Sequence, residues 1–395
     1  MTRAISRVLL AGTCALALAT PVSASTFTVL HTFKGGKDGA NSNAAITPDG
    51  QGNLYGTTEY GGGKGCGEGG CGTVFRIAGD GTYAVIYAFK GGSDGANPVA
   101  GVTLAPDGSL YGTTSNGGGA AFCSGCGTVY RIAPDGKESV IYAFQGDSDG
   151  AYPSGSVALD KKGNIYGTTA GGGPDYQGTI FRISPKGKET QLHSCDGFNC
   201  SNPASNVVFD KAGNLFGASP FGGDFGPGAI FKISPQGVFS VLYSFTGSLD
   251  GYQPYSDLTI DKDGTLFGTT VAGGENNFGV VYRVTSAGSE SVVHSFAPGD
   301  GAGPMGGVVL DSKGNVFGTT SAADGDGGPG NIFEVASDGS ERVLHTFSGG
   351  KDGFASTATL AWDATGNLYG TSFQGGLIKG HCSVYGCGTV FRVTP

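Results

Sequence analysis

The chain has 395 residues, of which 77 are glycine, 38% are hydrophobic and 14% are charged, and its formal net charge is -9. An acidic chain without basic clusters argues against nucleic acid or an anionic membrane surface as the partner. The glycines do not recur at every third residue, and the hydrophobic content is too high for a disordered chain, so collagen and disorder are both excluded.

Residues 1–24 have the pattern of a secretory signal peptide. Arg3 and Arg7 form a basic start, a short apolar run follows, and "PVSA" ends in small residues suited to cleavage after Ala24. Loss of the two arginines takes the formal charge from -9 to -11. The apolar run is too short for a permanent membrane anchor. We therefore expect a secreted or periplasmic monomer that does not insert into a membrane.

The rest of the chain begins with a single strand-like run, "FTVLHTF" at 27–33, and then repeats one pattern seven times. Each unit has four strand-like runs, A to D; in the second unit they are "PVAGVTLA", "SLYGTT", "GTVYRIA" and "ESVIYAF". The last unit ends on a C run at 388–393, with no D run after it. Run B always places a glycine after an aromatic residue, with a mean period near 52 residues, at Gly56, Gly112, Gly167, Gly217, Gly268, Gly318 and Gly370.

This period and the short strands predict an all-β fold, a seven-bladed β-propeller of four-stranded blades. Seven units of about 52 residues nearly fill residues 25–395, so we expect a single propeller domain. The unmatched terminal runs predict that 27–33 pairs with 388–393 and closes the ring, which removes free sheet edges. The B-to-C and D-to-A loops then share one face, the long-loop face. The A-to-B and C-to-D turns share the other, the tight-turn face.

Eight cysteines remain once Cys14 leaves with the signal peptide, and they form four close pairs in or beside the long loops. The pairs are Cys66/Cys71, Cys123/Cys126, Cys195/Cys200 and Cys382/Cys387. An even count in an exported chain predicts disulfides, and near neighbours are the simplest partners. We expect them to restrain loops that have few side chains to pack. Zinc is the alternative, because "CSGC" has zinc-knuckle spacing, but a structural zinc site needs four ligands and the other pairs lie ~50 or more residues away.

The phrases "GNLYGTT", "GGG" and "CGTVFRI" resemble the repeat signature of the GloVer tandem-repeat proteins, also labelled choice-of-anchor repeat proteins. The likeness covers nearly all of the chain after Ala24. It implies an exported bacterial repeat protein with a propeller-like fold, and it carries no established activity. The "D-x-x-G-N-L-Y" portion is also similar to NHL-type propellers, which supports the fold only.

Residues that recur in every unit are expected to be structural. They include the aromatic residues of runs B, C and D, the run D histidines that align with tyrosines, and a hydroxyl that caps the end of each B run. Cys195 replaces the run D phenylalanine once, so one disulfide is expected to fill a core gap. An Asp-Gly pair in the D-to-A loops is expected to cap a turn. The alternative is a ring of carboxylates that binds calcium or polar groups.

Residues that depart from the repeat are better candidates for function. Non-recurring aromatic residues lie in the predicted long loops. Aromatic residues in such loops either stack on sugar rings or anchor a protein partner, or they pack inward and stabilise the loop itself. The predicted binding residues are Tyr60, Phe122, Tyr176, Tyr252 and Phe278, with Asp324 and Asp326 of the acidic loop "DGDGG". That loop lacks the spacing and the bidentate glutamate of an EF-hand. No cofactor or metal is therefore expected, and structural calcium is only weakly supported.

The first functional hypothesis is a non-catalytic module that binds an extracellular carbohydrate or protein. The second is a polysaccharide hydrolase or lyase that uses carboxylates near the central channel, which requires two carboxyl groups about 5 to 10 Å apart across a pocket. The third is a structural envelope protein. No Ser-His-Asp order or "GxSxG" elbow is visible, and His381 has no nucleophile motif beside it.

Overall fold

The computed structural model describes residues 25–63, 65–119, 123, 125–323, 328–354, 356–377, 382 and 385–395. The expected signal peptide lies outside these residues, as do Phe122, Asp324, Asp326 and His381. The described chain forms a ring of seven four-stranded antiparallel sheets, so the predicted seven-bladed β-propeller is confirmed. Its helices are 3-10 turns at Gly36–Asp38, Gly67–Gly69 and Gly92–Asp94. None of the helices in this part of the chain is long and apolar enough to cross a membrane.

Every blade has the strand order A-B-C-D. Strand β1 spans Thr26–Thr32. Blade 1 contains β2 (Thr47–Pro48), β3 (Leu54–Thr58), β4 (Thr73–Ile77) and β5 (Tyr83–Ala88), and blade 2 contains β6 (Thr103–Leu104), β7 (Leu110–Thr114), β8 (Thr128–Ile132) and β9 (Glu138–Ala143). Blade 3 contains β10 (Ala158–Leu159), β11 (Ile165–Thr169), β12 (Thr179–Ile183) and β13 (Glu189–Ser194), and blade 4 contains β14 (Val207–Phe209), β15 (Leu215–Ser219), β16 (Ala229–Ile233) and β17 (Phe239–Ser244).

Blade 5 contains β18 (Thr259–Ile260), β19 (Leu266–Thr270), β20 (Val280–Val284) and β21 (Glu290–Ser295). Blade 6 contains β22 (Val309–Leu310), β23 (Val316–Thr319), β24 (Asn331–Val335) and β25 (Glu341–Thr346). Blade 7 contains β26 (Ala361–Trp362), β27 (Leu368–Ser372), β28 (Thr389–Thr394) and, as its D strand, β1.

The ring closes through the N-terminal strand, as the unmatched terminal runs predict. Strand β1 pairs antiparallel with β28, with Phe27 opposite Val393 and Thr32 opposite Thr389. The register shifts by one residue between Val29 and His31. The same shift occurs in the C-D ladders of the other blades, for example between Ile180 and Phe181. Strand β1 therefore replaces the missing D strand in both position and register.

The core lies between blades and is built from recurring aromatic residues. The D-strand phenylalanine of one blade packs edge-on against the C-strand aromatic ring of the next, as Phe144 does on Phe181 with ring centroids 5.1 Å apart. Both rings are fully buried. At the interface of blades 3 and 4 the phenylalanine position is held by Cys195, which is fully buried beside Cys200. The structural interpretation of these residues, including the disulfide in the core, is confirmed.

The innermost strands are shorter than the A runs suggest. In blade 2 the run "PVAGVTLA" supplies only the two residues of β6 to the sheet. The residues before it bridge blades instead, since the Ala100 carbonyl accepts a hydrogen bond from Thr57 Oγ1 of blade 1 at 2.9 Å. Thr371 Oγ1 of blade 7 donates in the same way to the Ala44 carbonyl at 3.0 Å. These threonines fix the segments that line the central channel.

Candidate binding face and axial pocket

The long loops lie on one face of the ring, as predicted. Each D-to-A loop forms an isolated antiparallel bridge with a B-to-C loop, for example between Tyr252 and Ala272 and between Ser201 and Phe221. The hydroxyl at the end of each B strand fixes this geometry by donating to the loop carbonyl two residues later, as Thr169 Oγ1 does to Gly171 at 3.0 Å. The long-loop face is therefore a continuous hydrogen-bonded surface.

The opposite face carries short turns with one repeated hydrogen-bond pattern. In the turn before β11, Asp160 Oδ1 accepts the backbone N–H groups of Lys162 and Asn164, and Asn164 Nδ2 donates to Asp160 Oδ2 at 2.7 Å. An Asp side chain that accepts local N–H groups closes a tight turn without help from elsewhere. This pattern accounts for the sequence "D-x-x-G-N" and leaves few variable side chains on the tight-turn face.

The four predicted cysteine pairs form disulfides, with Cα–Cα distances between 5.0 and 5.7 Å. They are Cys66–Cys71, Cys123–Cys126, Cys195–Cys200 and Cys382–Cys387. Three of them lie in B-to-C loops and one in the D-to-A loop between blades 3 and 4. A Cβ placed on Gly91 would lie 2.9 Å from Cys66 Sγ, so this disulfide packs against the D-to-A loop of its own blade. The disulfides thus restrain glycine-rich loops, as expected.

The second cysteine of each pair also lies in the core, because its side chain is fully buried. These cysteines are Cys71, Cys126, Cys200 and Cys387. Cys126 belongs to the hydrophobic cluster that contains Phe144, and Cys387 to the cluster that contains Phe33. The physical reason is their position, since Cys126 and Cys387 each stand two residues before a C strand, where the chain enters the core between blades.

The backbone of these buried cysteines also joins neighbouring blades. The Cys126 carbonyl accepts the Tyr152 N–H at 2.8 Å, and the Cys387 carbonyl accepts the Asn41 N–H, also at 2.8 Å. The Cys71 carbonyl accepts the Asn97 N–H at 2.7 Å. Each of the three B-to-C disulfides therefore ties an outer loop residue to a fixed point of the core. From the sequence, a core position was expected only for the fourth disulfide, Cys195–Cys200.

The recurring aspartates of the D-to-A loops are turn caps. Asp250 Oδ2 accepts hydrogen bonds from the Tyr243 hydroxyl at 2.9 Å and from the Thr246 backbone N–H at 2.7 Å. Burial alone would raise the pKa of Asp250, but the donors at Thr246 and Tyr243 outweigh it and hold that pKa below its usual value. Among the described residues, no group of three or more His, Cys, Asp or Glu is arranged to hold a metal ion.

Exposed apolar side chains are concentrated on the long-loop face. Eleven large hydrophobic side chains are exposed in the described part of the chain, and nine of them lie in B-to-C or D-to-A loops. Those nine are Tyr60, Tyr152, Tyr176, Phe198, Phe225, Leu249, Met305, Leu377 and Tyr385. Val238 in a C-to-D turn and Val292 in strand β21 are the other two. The two faces therefore differ in chemistry as well as in loop length.

The predicted aromatic residues are not equivalent in the structure. Tyr176 is 59% exposed and Tyr60 is 37% exposed. The Tyr60 hydroxyl is hydrogen-bonded to Glu59, and this bond, together with burial, raises the pKa of Tyr60 to about 12. Tyr252 is half-buried. Phe278 departs from the expectation of an exposed ring, because it packs against the hydrophobic cluster that contains Phe296 and anchors its own loop.

Five consecutive long loops of blades 2 to 5, centred on blades 3 and 4, each carry one exposed large apolar side chain. We call this set the blade 3–4 rim; it consists of Tyr152, Tyr176, Phe198, Phe225 and Leu249. Phe198 is 83% exposed, and Phe225 is 64% exposed. Asp196 Oδ1 accepts the backbone N–H groups of Phe198 and Asn199, each at 2.8 Å, which fixes the turn that presents the Phe198 ring.

An axial pocket of about 230 Å³ opens where the seven blades meet. Each A run has a buried branched residue at or just before the start of its strand, such as Val102 in blade 2. The upper level of the pocket is formed by the residue three positions before this one, and the lower level by the residue one position before it. The upper level consists of Asn43, Val99, Ser154, Ala204, Tyr255, Met305 and Thr357, and the lower level of Ala45, Gly101, Ser156, Asp257 and Thr359. Asn206 and Gly307 hold the equivalent lower positions in blades 4 and 6. Since the D-to-A loops lead into these residues, the pocket belongs to the long-loop face.

Asp257 is the one carboxylate among the described residues that line this pocket. Its Oδ1 accepts the Asn206 backbone N–H at 2.8 Å, and its Oδ2 accepts the Thr359 hydroxyl at 3.1 Å. Thr359 Oγ1 in turn accepts the Gly307 N–H at 2.9 Å. Burial raises the pKa of Asp257, and the hydrogen bonds from Asn206 and Thr359 only partly oppose this. The network holds the carboxylate in place across blades 4 to 7.

The sequence predictions did not include this pocket. Asp257, Tyr255 and Ser154 occupy positions where the seven units differ, directly before a run in which they agree. A comparison of the units at the position of Asp257 finds one carboxylate among small or neutral residues. That contrast between the units is the sequence signal that could have identified Asp257. Pocket and rim are linked, because the Tyr255 ring lies 6.0 Å from the ring of Phe221, at the start of the loop that carries Phe225.

The fold and this face together define the class: a seven-bladed β-propeller with one loop-rich, disulfide-restrained face. The chain matches the Gloeobacter/Verrucomicrobia repeat at residues 64–279 and 257–395, and it belongs to that family. The expected membership in a tandem-repeat family is thereby confirmed. A search among curated proteins finds no match.

Among solved structures, the chain is similar to a protein described as the extracellular domain of a hybrid two-component system from B. thetaiotaomicron. The identity is 15% and the TM-score 0.57, over 94% of this chain and 41% of that one. A one-component system's extracellular domain from the same organism gives 10% identity and a TM-score of 0.57, over 91% of this chain and 39% of that one. The chain thus spans about two fifths of these two domains.

A third similar structure is described as a 6-phosphogluconolactonase from Bacteroides uniformis. The identity is 14% and the TM-score 0.51, over 76% of this chain and 83% of that one. At such identities the likeness shows the fold alone, because one fold carries many unrelated functions.

Proposed function

We propose that the protein is an exported, non-catalytic binding propeller that recognises an extracellular glycan at its long-loop face. The observation that carries this proposal is the distribution of exposed apolar side chains, nine of eleven of which lie in the long loops. Packing of the blades does not require these side chains to be exposed. Clustered apolar exposure on one face is typical of an interaction surface.

The blade 3–4 rim supports a glycan as the ligand. Its rings stand on separate loops with glycine-rich backbone between them, so the surface alternates flat apolar faces with polar groups. Aromatic faces stack on the apolar faces of sugar rings, and nearby carboxylates accept their hydroxyl groups. Asp175, Asp196 and Asp224 are exposed in the same loops as Tyr176, Phe198 and Phe225 and would serve as these acceptors.

The hydrolase alternative is less well supported. It requires two carboxyl groups that face each other across a pocket. The axial pocket presents Asp257 alone among its described lining residues, and the other lining side chains are neutral. The signal-peptide pattern and the four disulfides support export, because disulfides persist in oxidising compartments.

A glycan array tests the proposal. The secreted protein and the variant Phe198→Ala/Phe225→Ala are applied to the same array of bacterial and plant glycans. We expect a defined group of glycans to bind the wild type and to lose most of its signal with the variant. An array without binding, combined with capture of a purified extracellular protein through the same rim, would replace the glycan with a protein partner. Equal binding by both proteins would place the site elsewhere.

A further inference from the structure

We propose that the axial pocket is a separate binding site for a small ligand that carries an ammonium group beside hydroxyl groups, such as an amino sugar unit. The proposal goes beyond glycan recognition at the blade 3–4 rim and does not rest on it. It stands on the shape of the pocket, on the unbalanced charge of Asp257 and on a buried hydroxyl without a partner.

The size of the pocket limits the ligand. Its volume of about 230 Å³ lies below the roughly 300–1,000 Å³ of pockets for drug-sized ligands, so it fits a single small ring. Small residues set this width. A Cβ on Gly307 would lie 2.5 Å from the Asp257 carbonyl oxygen and 2.9 Å from Thr359 Oγ1, so glycine is required where blade 6 packs against Asp257 and Thr359.

The charge of the pocket selects a cationic group. Asp257 has no lysine, arginine or histidine among the described residues that line the pocket with it. Each of its oxygens accepts one hydrogen bond from the protein and retains a second lone pair. A half-buried carboxylate without a counter-charge is costly, and a ligand ammonium group would both donate to the free lone pairs and balance the charge.

The upper level of the pocket offers groups for hydroxyls. Ser154 Oγ is buried and has no hydrogen-bond partner within the protein. An unsatisfied buried hydroxyl in a native fold calls for a ligand or water partner. Ser154 stands two residues along its strand segment from the level of Asp257, roughly 6–7 Å at the rise of an extended chain. Ser154 and Asp257 both line the pocket, so a small ligand that fills it meets both levels.

Isothermal titration with glucosamine hydrochloride, glucose and N-acetylglucosamine tests the inference, because these probes share a ring and differ in the ammonium group. We expect glucosamine to bind at least about tenfold more tightly than the two neutral sugars. Asp257→Asn keeps the size of the side chain and should weaken glucosamine at least about tenfold, as expected for loss of a charged hydrogen bond. The matched control Asp261→Asn lies in a tight turn and should bind as the wild type does.

Ser154→Ala keeps the test decisive if Asp257→Asn does not fold. Since the Ser154 hydroxyl has no partner in the protein, its removal should leave the melting temperature unchanged or raised and still weaken glucosamine several-fold. The rim variant Phe198→Ala/Phe225→Ala should bind glucosamine normally, which separates this site from the glycan site. Equal binding of glucose and glucosamine, unchanged binding by Asp257→Asn and Ser154→Ala, or saturable binding of Ca²⁺ in place of glucosamine would overturn the inference.

Discussion

The recurring glycine of strand B makes room for an aromatic ring. Gly167 lies directly opposite Phe181 in the B-C ladder. A Cβ on Gly167 would lie 2.6 Å from Cζ of that ring, which no real side chain tolerates. The same arrangement occurs in all seven blades, where the ring above the glycine is completely buried. Packing in the core therefore requires this glycine. Its backbone dihedral angles are ones that other residues also adopt.

Gly167→Ala should destabilise the protein by about 1–3 kcal/mol, because the added methyl group forces the Phe181 ring out of its position. Urea unfolding measures this change. The control is Gly63→Ala, at an exposed glycine whose added Cβ would meet nothing within 4 Å. That variant should stay within about 0.5 kcal/mol of the wild type. Equal stability of the two variants would contradict the packing account.

At this scale the sequence predicted some roles and not others. The aromatic residues, the run D histidines and the B-strand hydroxyls recur with the repeat, so periodicity alone identified them as structural. The sequence did not identify Asp257 and Ser154, because the role of a side chain in the channel depends on neighbours about 50 to 100 positions away in the chain. Asp257 and Thr359, for example, are 102 residues apart in sequence. Phe278 packs against the core, which periodicity alone does not show because it does not report how deeply a loop folds back.

Strand D carries a second recurring feature at the interfaces between blades. A glutamate begins four of these strands and faces the turn-capping aspartate of the preceding blade, in Glu138, Glu189, Glu290 and Glu341. In the first of these, the Tyr87 hydroxyl lies 2.6 Å from Asp94 Oδ1 and 3.4 Å from Glu138 Oε2. Burial, reinforced by the aspartate charge, raises the pKa of each of the four glutamates to about 7.

These glutamates should make stability depend on pH. A carboxyl group whose pKa rises on folding stabilises the fold below its unfolded pKa near 4.5, and this contribution is lost as pH rises through about 7. Half-buried His193 and His345 act in the opposite direction, because burial lowers their pKa below 6.5 and their contribution is lost as pH falls. Four glutamates outnumber two histidines, so the melting temperature should fall as the pH rises from about 5.5 to about 8. Calorimetry at these two pH values measures the change.

Glu290→Gln isolates the effect of one carboxyl group. The neutral amide should stabilise the protein at pH 8 by on the order of 1 kcal/mol, after allowance for solvent screening of a half-buried group, and should change little at pH 5. Glu275→Gln, at an exposed loop position, serves as the control and should have no such pH-dependent effect. At each pH the stability of Glu290→Gln is compared with that of the wild type. A smaller gain in stability at pH 8 than at pH 5 would contradict this assignment.

The loops should differ in how readily their disulfides are reduced. Attack by an external thiol requires access to a sulfur atom. Cys66 is exposed, whereas Cys195 and Cys200 are both fully buried. Dithiothreitol under native conditions should therefore reduce Cys66–Cys71 first and Cys195–Cys200 last, as followed by alkylation and mass spectrometry of the digested protein. The order should disappear in guanidinium chloride. Early reduction of Cys195–Cys200 in the native protein would show that this disulfide does not lie in the core.

The architecture of the whole molecule was predictable because the repeat encodes it seven times. Each unit must bury both faces of its sheet against a neighbour, and unmatched D and C runs at the two ends leave ring closure as the solution without free edges. The length of the A strands was not predictable. Their first halves, such as the Ala100 segment, bond to neighbouring blades through Thr57 and its equivalents, and these contacts exist only in the closed ring. Burial of Cys126 and Cys387 depends on the same closed packing of neighbouring blades.

Under the proposed function, the long-loop face binds the ligand and the tight-turn face does not. The most direct measurement is the calorimetric affinity of the best glycan from the array for three proteins: the wild type, Phe198→Ala/Phe225→Ala and Lys161→Ala/Lys162→Ala. The two lysines are exposed in a tight turn on the opposite face. Loss of the two rings should weaken binding by ~1–3 kcal/mol with a nearly unchanged melting temperature, and the lysine variant should bind as the wild type does. Equal loss of affinity in both variants, or a large loss of stability in the aromatic variant, would contradict the claim.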